Sequence, residues 1–155
     1  GEACISAIEG LNVLYEEDLM GNAQRQGDYL IERLNGLRAK YPSLLKEIRG
    51  RGLMIGIEFN DISETMPFGL KHMVALLDDK LKGSLCGFVG ALLLKDYDVL
   101  VAFTEYNRNV IRLEPPLIAT REDCDRFIDA FDDLLGRGIT RIVTDYLRKV
   151  AVAKG

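Results

Sequence analysis

The residue in this chain best placed to do chemistry is Arg112, set in the run Val110-Ile111-Arg112-Leu113-Glu114 and followed by Pro115-Pro116. Alternation along a strand sends Ile111 and Leu113 to one face and Arg112 to the other. The two prolines end the strand rigidly, because proline has no N–H to give to a sheet. A guanidinium held this way presents a planar fork of donors that matches a carboxylate. The same placement serves a structural ion pair with Glu114 or Glu58, so spacing alone leaves both roles open.

The remaining chemistry-bearing groups are sparse. The single histidine, His72, stands between Lys71 and Met73 in a helical pattern, where a solvated imidazole is expected rather than the base of a hydrolase triad. One histidine also disfavours a histidine-based metal cluster. The pairs Asp78-Asp79 and Asp132-Asp133 are adjacent in sequence, which on a helix sets their side chains about 100° apart. They read as solvated faces. Cys4, Cys86 and Cys124 form no CxxC pair and sit among apolar neighbours, as buried reduced thiols do.

Gly50, Gly52 and Gly56 give the spacing G-x-G-x-x-x-G. The residues after them read as strand, whereas a phosphate loop needs a helix N-terminus there. Arg137, Arg141, Arg148, Lys149 and Lys154 near the end of the chain lack interleaved aromatics and read as a solvated polar face. No catalytic, cofactor-binding or metal-binding residue is assigned, and Arg112 is the one candidate for substrate binding.

The elements that must position Arg112 follow from periodicity. Ala3, Ala7, Leu11 and Leu14 recur at helical spacing and predict a helix over about residues 2–16. Asp18 is placed to cap a second helix, whose face carries Ala23, Leu30, Leu34, Leu37 and Tyr41 and which Pro42 ends. Leu53, Ile55, Ile57 and Phe59 alternate as a half-buried strand after a Gly50-Arg51-Gly52 turn, and Lys46 to Arg49 complete a hairpin. A helix from Leu70 to Leu81, closed by Gly83, and another from Leu85 to Tyr97 come next. Val99 to Phe103 and Val110 to Glu114 form a second strand pair. Thr120, with Asp123 three residues on, caps a helix carrying Cys124, Phe127, Ile128, Phe131, Leu134 and Leu135, and Gly136 and Gly138 separate it from a last one. The expected fold is α+β, a small mainly antiparallel sheet covered by helices.

The chain has 155 residues, enough for one domain spanning 1–155, and carries 20 Lys and Arg against 24 Asp and Glu. That mild acidity argues against nucleic acid as a partner. No apolar run reaches the ~18–20 residues needed to cross a bilayer, and the start lacks the basic and apolar regions of a signal peptide, so a cytoplasmic location is expected.

Two segments carry a family resemblance. Ile48-Arg49-Gly50-Arg51-Gly52-Leu53-Met54-Ile55-Gly56-Ile57-Glu58-Phe59 and Asn109-Val110-Ile111-Arg112-Leu113-Glu114-Pro115-Pro116-Leu117-Ile118 resemble the two hairpin motifs in the C-terminal (small) domain of class III pyridoxal-phosphate-dependent aminotransferases. The likeness extends to the opening helix, the helix after Thr120, and Gly87-Phe88-Val89-Gly90-Ala91-Leu92-Leu93, which is most similar to the putrescine aminotransferase-like branch. The resemblance implies the small domain of a fold-type I enzyme that moves an amino group between an amine or amino acid and a 2-oxo acid. It implies a homodimer, and pyridoxal 5'-phosphate held as a Schiff base by a lysine of a larger N-terminal domain. None of the lysines of this chain stands in that lysine motif, so the chain alone is expected to be inactive. Arg112 matches the family's strand arginine, which in many members binds a substrate carboxylate or pairs with a glutamate that can be displaced. The segment from Asp61 to Gly83 is longer than the matching connection in many relatives. The first residue is not Met and the first helix begins at once, which suits a fragment of a longer enzyme. A non-enzymatic interaction or dimerisation module that retains the small-domain fold is the alternative.

Overall fold

The computed structural model describes residues 1–61 and 85–152. The expected helix from Leu70 to Leu81, with His72, Asp78 and Asp79, lies outside them. Five helices are described: α1 (Glu2–Glu16), α2 (Leu19–Lys40), α3 (Leu85–Tyr97), α4 (Arg121–Gly136) and α5 (Gly138–Val152). Four strands, β1 (Leu45–Arg51), β2 (Met54–Phe59), β3 (Ala102–Phe103) and β4 (Val110–Leu113), form one sheet in the order β1-β2-β4-β3, with every neighbouring pair antiparallel.

The sheet is built from alternation. Ile55, Ile57 and Phe59 of β2 and Ile111 and Leu113 of β4 turn inward and are buried. Register pairs Ile57 with Ile111 and Ile55 with Leu113 across the two central strands. Onto this face pack the apolar stripes of α2 (Leu30, Leu34, Leu37), α3 (Phe88, Val89, Leu92, Leu93), α4 (Phe127, Ile128, Phe131, Leu134, Leu135) and α5 (Ile142, Val143). Phe131 lies at the centre, stacked on Phe127 at 5.5 Å and edge-on to Phe59 at 6.2 Å between ring centroids. On the opposite face Met54 and Arg112 are exposed, while Glu58 and Val110 are buried.

Two turns depend on backbone freedom. The β1–β2 hairpin closes through Gly52-Leu53, and Gly52 has φ of +54°, a left-handed conformation that glycine adopts without strain. The turn therefore lies two residues later than the Gly50-Arg51-Gly52 spacing suggested. Gly50 continues β1 because a Cβ there would overlap the Met54 carbonyl. Helix α2 meets the same hairpin, with Gly27 against the Gly52 carbonyl.

The helix ends differ from expectation in one case and match it in another. Asp18 takes φ of +49° and makes no cap, its carboxylate accepting instead from Arg25 Nη1 at 2.9 Å. It is a left-handed break between α1 and α2. Thr120 forms the full capping box: its Oγ1 accepts from Asp123 N–H at 3.2 Å, and Asp123 Oδ2 accepts from Thr120 N–H at 2.9 Å. These bonds hold the Asp123 carboxyl below the usual carboxylate range. Just before it, Asn22 Nδ2 of α2 donates to the carbonyls of Leu117 (2.7 Å) and Ala119 (3.0 Å), fixing the turn from β4 into α4.

Helix α1 stands apart: none of its residues is buried, and Ile5, Ile8, Leu11 and Tyr15 are all more than half exposed. Cys4 is exposed with them, contrary to expectation, while Cys86 and Cys124 are buried free thiols. Burial pushes the Cys124 thiol pKa up.

The Gly27–Gly52 approach yields a stability prediction. Gly27→Ala forces a methyl group into the Gly52 carbonyl, so it should destabilise by about 1–3 kcal/mol, the usual range for overpacking. The check is the midpoint of urea denaturation, against Gly36→Ala, where a Cβ meets open space and helix propensity favours alanine.

Candidate functional site

Arg112 lies in β4 on the face opposite the helices, with its side chain 45% exposed. Its cross-strand neighbours are Gly56 on β2 and Ala102 on β3. Nε donates to Glu114 Oε1 at 3.0 Å, and Nη2 donates to the same oxygen. Of the two ion-pair partners left open by the sequence, Glu114 is the one found. Glu58 is committed elsewhere, accepting from Lys46 Nζ at 2.8 Å and Arg49 Nη1 at 2.5 Å. Those donors hold the Glu58 carboxyl below the usual range against the opposing effect of burial.

Three further ionic clusters tie elements together. Asp132 of α4 accepts from Lys40 Nζ (2.8 Å) and Tyr41 Oη (2.6 Å) at the end of α2. Asp133 accepts from Tyr97 Oη and, at 3.2 Å, from Arg137 Nη2. Arg137 also donates to Asp96 of α3 at 3.0 Å and lies 3.5 Å from Asp145 of α5, and Lys149 pairs with Asp96. On α2, Tyr29 donates to Asp125 while the Arg121 guanidinium stacks 3.5 Å above its ring. The expectation of solvated faces holds for Asp133, which is exposed, and is corrected for Asp132, Arg137 and Lys149, which are half-buried in ion pairs between helices. The adjacency of the two aspartates on a helix sends Asp132 toward α2 and Asp133 toward α3 and α5, one carboxylate to each seam. Because these charges are matched with one another, the clusters read as ties between helices.

An apolar cavity of about 680 Å3 lies at the β3 edge, with Gly87, Gly90, Leu94, Phe103 and Tyr146 in its wall. Phe103 pairs with Ile111, which places the cavity on the helix-covered side of the sheet, away from Arg112. No group of three or more residues able to hold a metal ion exists among the described residues. No described helix is long and apolar enough to cross a membrane.

A family model, aminotransferase class-III, matches residues 2–135. The chain belongs to the class-III aminotransferase family. It is 28% identical over 156 residues to the aminotransferase PigE of Serratia sp. (strain ATCC 39006), a match covering 83% of this chain and 18% of that protein. Among solved structures, the ornithine aminotransferase of Toxoplasma gondii ME49 superposes with a TM-score of 0.58 at 29% identity, covering 96% of this chain and 27% of that one. A thermostable (S)-enantioselective omega-transaminase from Thermomicrobium roseum gives a TM-score of 0.60 at 25% identity, covering 94% and 27%. This class-III aminotransferase sequence thus spans only about a fifth to a quarter of these relatives. Its α+β fold is the one expected, resembling the C-terminal domain of fold-type I pyridoxal-phosphate enzymes. Helix α5 lies beyond the last residue that the family model matches.

The family implies pyridoxal phosphate, and the described residues of this chain do not fit it. A Schiff-base lysine must shed its proton. Donating to Asp132 and Glu58 respectively does the opposite for Lys40 and Lys46, holding each amine above the ordinary lysine pKa. Lys149 is paired with Asp96, and Lys95 is exposed at the end of α3. Sequence reasoning located Arg112 but missed its two small neighbours. The signal was available in Gly56, a glycine inside an alternating strand.

Two outcomes are expected. Incubating the isolated chain with pyridoxal phosphate and then borohydride should label none of Lys40, Lys46, Lys95 or Lys149 stoichiometrically, as peptide mass mapping would report. For Glu58, the folded pKa is depressed, so its contribution to stability is complete above the unfolded value and is lost as pH falls through the folded one. Glu58→Gln should therefore lower the thermal midpoint at neutral pH and flatten its fall on acidification below about pH 4, measured by calorimetry across a pH series.

Proposed function

We propose that this chain is the C-terminal small domain of a pyridoxal-phosphate-dependent aminotransferase, which moves an amino group between an amine or amino acid and a 2-oxo acid. The observation that carries the reading is α1. A 15-residue helix that buries none of its side chains, yet carries Ile5, Ile8, Leu11 and Tyr15 in the open, calls for a covering surface. The larger N-terminal domain supplies it, and that domain holds the cofactor and its Schiff-base lysine. The assembled enzyme is a cytoplasmic homodimer.

Within that enzyme the cofactor supplies the electron sink for transamination. No described residue of this chain is assigned to proton transfer. Its part is to close the site with the sheet face that carries Arg112 and to offer the guanidinium to a substrate carboxylate. Glu114, one residue past the end of β4, neutralises the guanidinium when no carboxylate is bound.

In the full-length enzyme, Arg112→Lys keeps the charge and loses the planar fork. KM for the oxo acid should rise about tenfold or more, the scale of a charge-assisted hydrogen bond, with the thermal midpoint little changed. Steady-state kinetics beside thermal unfolding decide it. Unchanged kinetics with a lowered midpoint would reduce Arg112 to a structural ion pair. A non-enzymatic module would bind no cofactor at full length.

A further inference from the structure

We propose that Asn22 of α2 is a positioning residue for the substrate site: by pinning the turn after β4 it holds the Glu114 carboxylate on Arg112, and so sets how hard an oxo-acid carboxylate must compete for the guanidinium. The proposal rests on the reading of Arg112 as the group offered to that carboxylate.

Glu114 belongs to no strand or helix. Strand β4 ends at Leu113, which faces Ile55 of β2 and is the last residue held by sheet register on that side. Beyond Glu114 come Pro115 and Pro116, each with a fixed φ and no N–H to donate. A residue that precedes a proline is confined to extended conformations. Glu114 and Pro115 are both restricted in this way, so the run from Glu114 to Leu117 is a stiff strut reaching at most about 10 Å. A shift at its far end is carried to Glu114 rather than absorbed on the way.

Asn22 holds that far end. Of Leu117, Ile118 and Ala119 only Ala119 is buried, and among the described residues the turn closes on itself through a single backbone bond, Ala119 N–H to Pro116 O at 2.9 Å. Asn22 Nδ2 spends both hydrogens here, donating to the carbonyls of Leu117 at 2.7 Å and Ala119 at 3.0 Å, while its Oδ1 accepts from Gln26 Nε2 at 3.3 Å. Only one orientation of the amide satisfies this set, because turning it over would press Oδ1 against two carbonyl oxygens. Asn22 stands in the first turn of α2, whose Leu30, Leu34 and Leu37 are buried in the core, so the anchor is rigid. At the near end, Glu114 Oε1 accepts from Arg112 Nε at 3.0 Å and from Nη2. A guanidinium grips a carboxylate bidentately through Nε and Nη2 or through Nη1 and Nη2. Both grips need Nη2, so an incoming carboxylate competes with Glu114 whichever edge it takes.

The test uses the full-length enzyme, with KM for 2-oxoglutarate from steady-state kinetics and Kd for glutarate, which has both carboxylates and no oxo group, from calorimetry. An exposed ion pair is worth up to about fivefold in affinity. Glu114→Gln and Asn22→Ala should each lower KM and Kd by about two- to fivefold without lowering kcat. Asn22→Ser, which keeps one donor, should fall between wild type and alanine, and Asn22→Ala should add nothing in a Glu114→Gln background. Damage to the fold does not tighten a ligand, so the sign of the change separates positioning from loss of structure. The proposal is overturned if Asn22→Ala leaves KM and Kd unchanged or raises them, if it lowers them as much with Glu114→Gln in place, or if the wild type binds neither probe. Should Asn22→Ala not fold, Asn22→Ser decides by the same outcomes. Failure of the functional reading looks different: tighter glutarate in Asn22→Ala that depends on Glu114, with no amino group transferred by the wild type, keeps the role of Asn22 and removes the aminotransferase.

Discussion

The constraint on which the structure depends is the pairing of Ile57 with Ile111 at the middle of the sheet, two side chains wholly withdrawn from water. Strand side chains alternate with a period of two, so burying this pair also fixes Arg112 and Gly56 outward. A slip of one residue in β4 would press a guanidinium into a layer of Phe59, Phe127 and Phe131, where a charge without a partner costs several kcal/mol. The hydrophobic effect, which says nothing about ligands, thereby fixes the face on which Arg112 stands.

Electrostatics has a second role away from that face. The helices are held in register with the sheet by apolar stripes and with one another by charges divided between seams. Asp132 serves the end of α2, while Asp133 serves α3 and, through Arg137, α5. Single exposed pairs of this kind contribute little, but Arg137 and Asp96 each have more than one counter-ion and so join separate pairs into a network. That α5 lies past the family match yet enters this network shows how an appended helix is made part of a domain.

Much of the fold was legible because periodicity and turn chemistry agree. The strands around Ile55 and Ile111, the α4 stripe and the Thr120–Asp123 box could be read directly. Partnership across distance could not be. Asp18 has the composition of a cap, but its carboxylate goes to Arg25 instead. The charges at Asp132, Asp133, Arg137 and Lys149 look solvated in one dimension and are brought together only when α4 and α5 fold against α3. Cys4 sits in an apolar pattern that no described residue covers. At the site, Arg112 was recognisable from its strand and its prolines, whereas its neighbours Gly56 and Ala102, on two other strands, are set by register.

The bonds from Asn22 to the carbonyls of Leu117 and Ala119 join positions more than ninety residues apart, and the Tyr29–Asp125 contact repeats that span. Such ties make the order of synthesis matter. Until the ribosome has released α4, the apolar stripe of α2 has no helix to meet, and loop closure over this length is entropically slow compared with forming the β1–β2 hairpin. The hairpin can therefore cover one side of Leu30, Leu34 and Leu37 as soon as residues 45–59 have emerged, whereas the other side waits for α4. The stripe is completed in two stages separated by the synthesis of more than sixty residues.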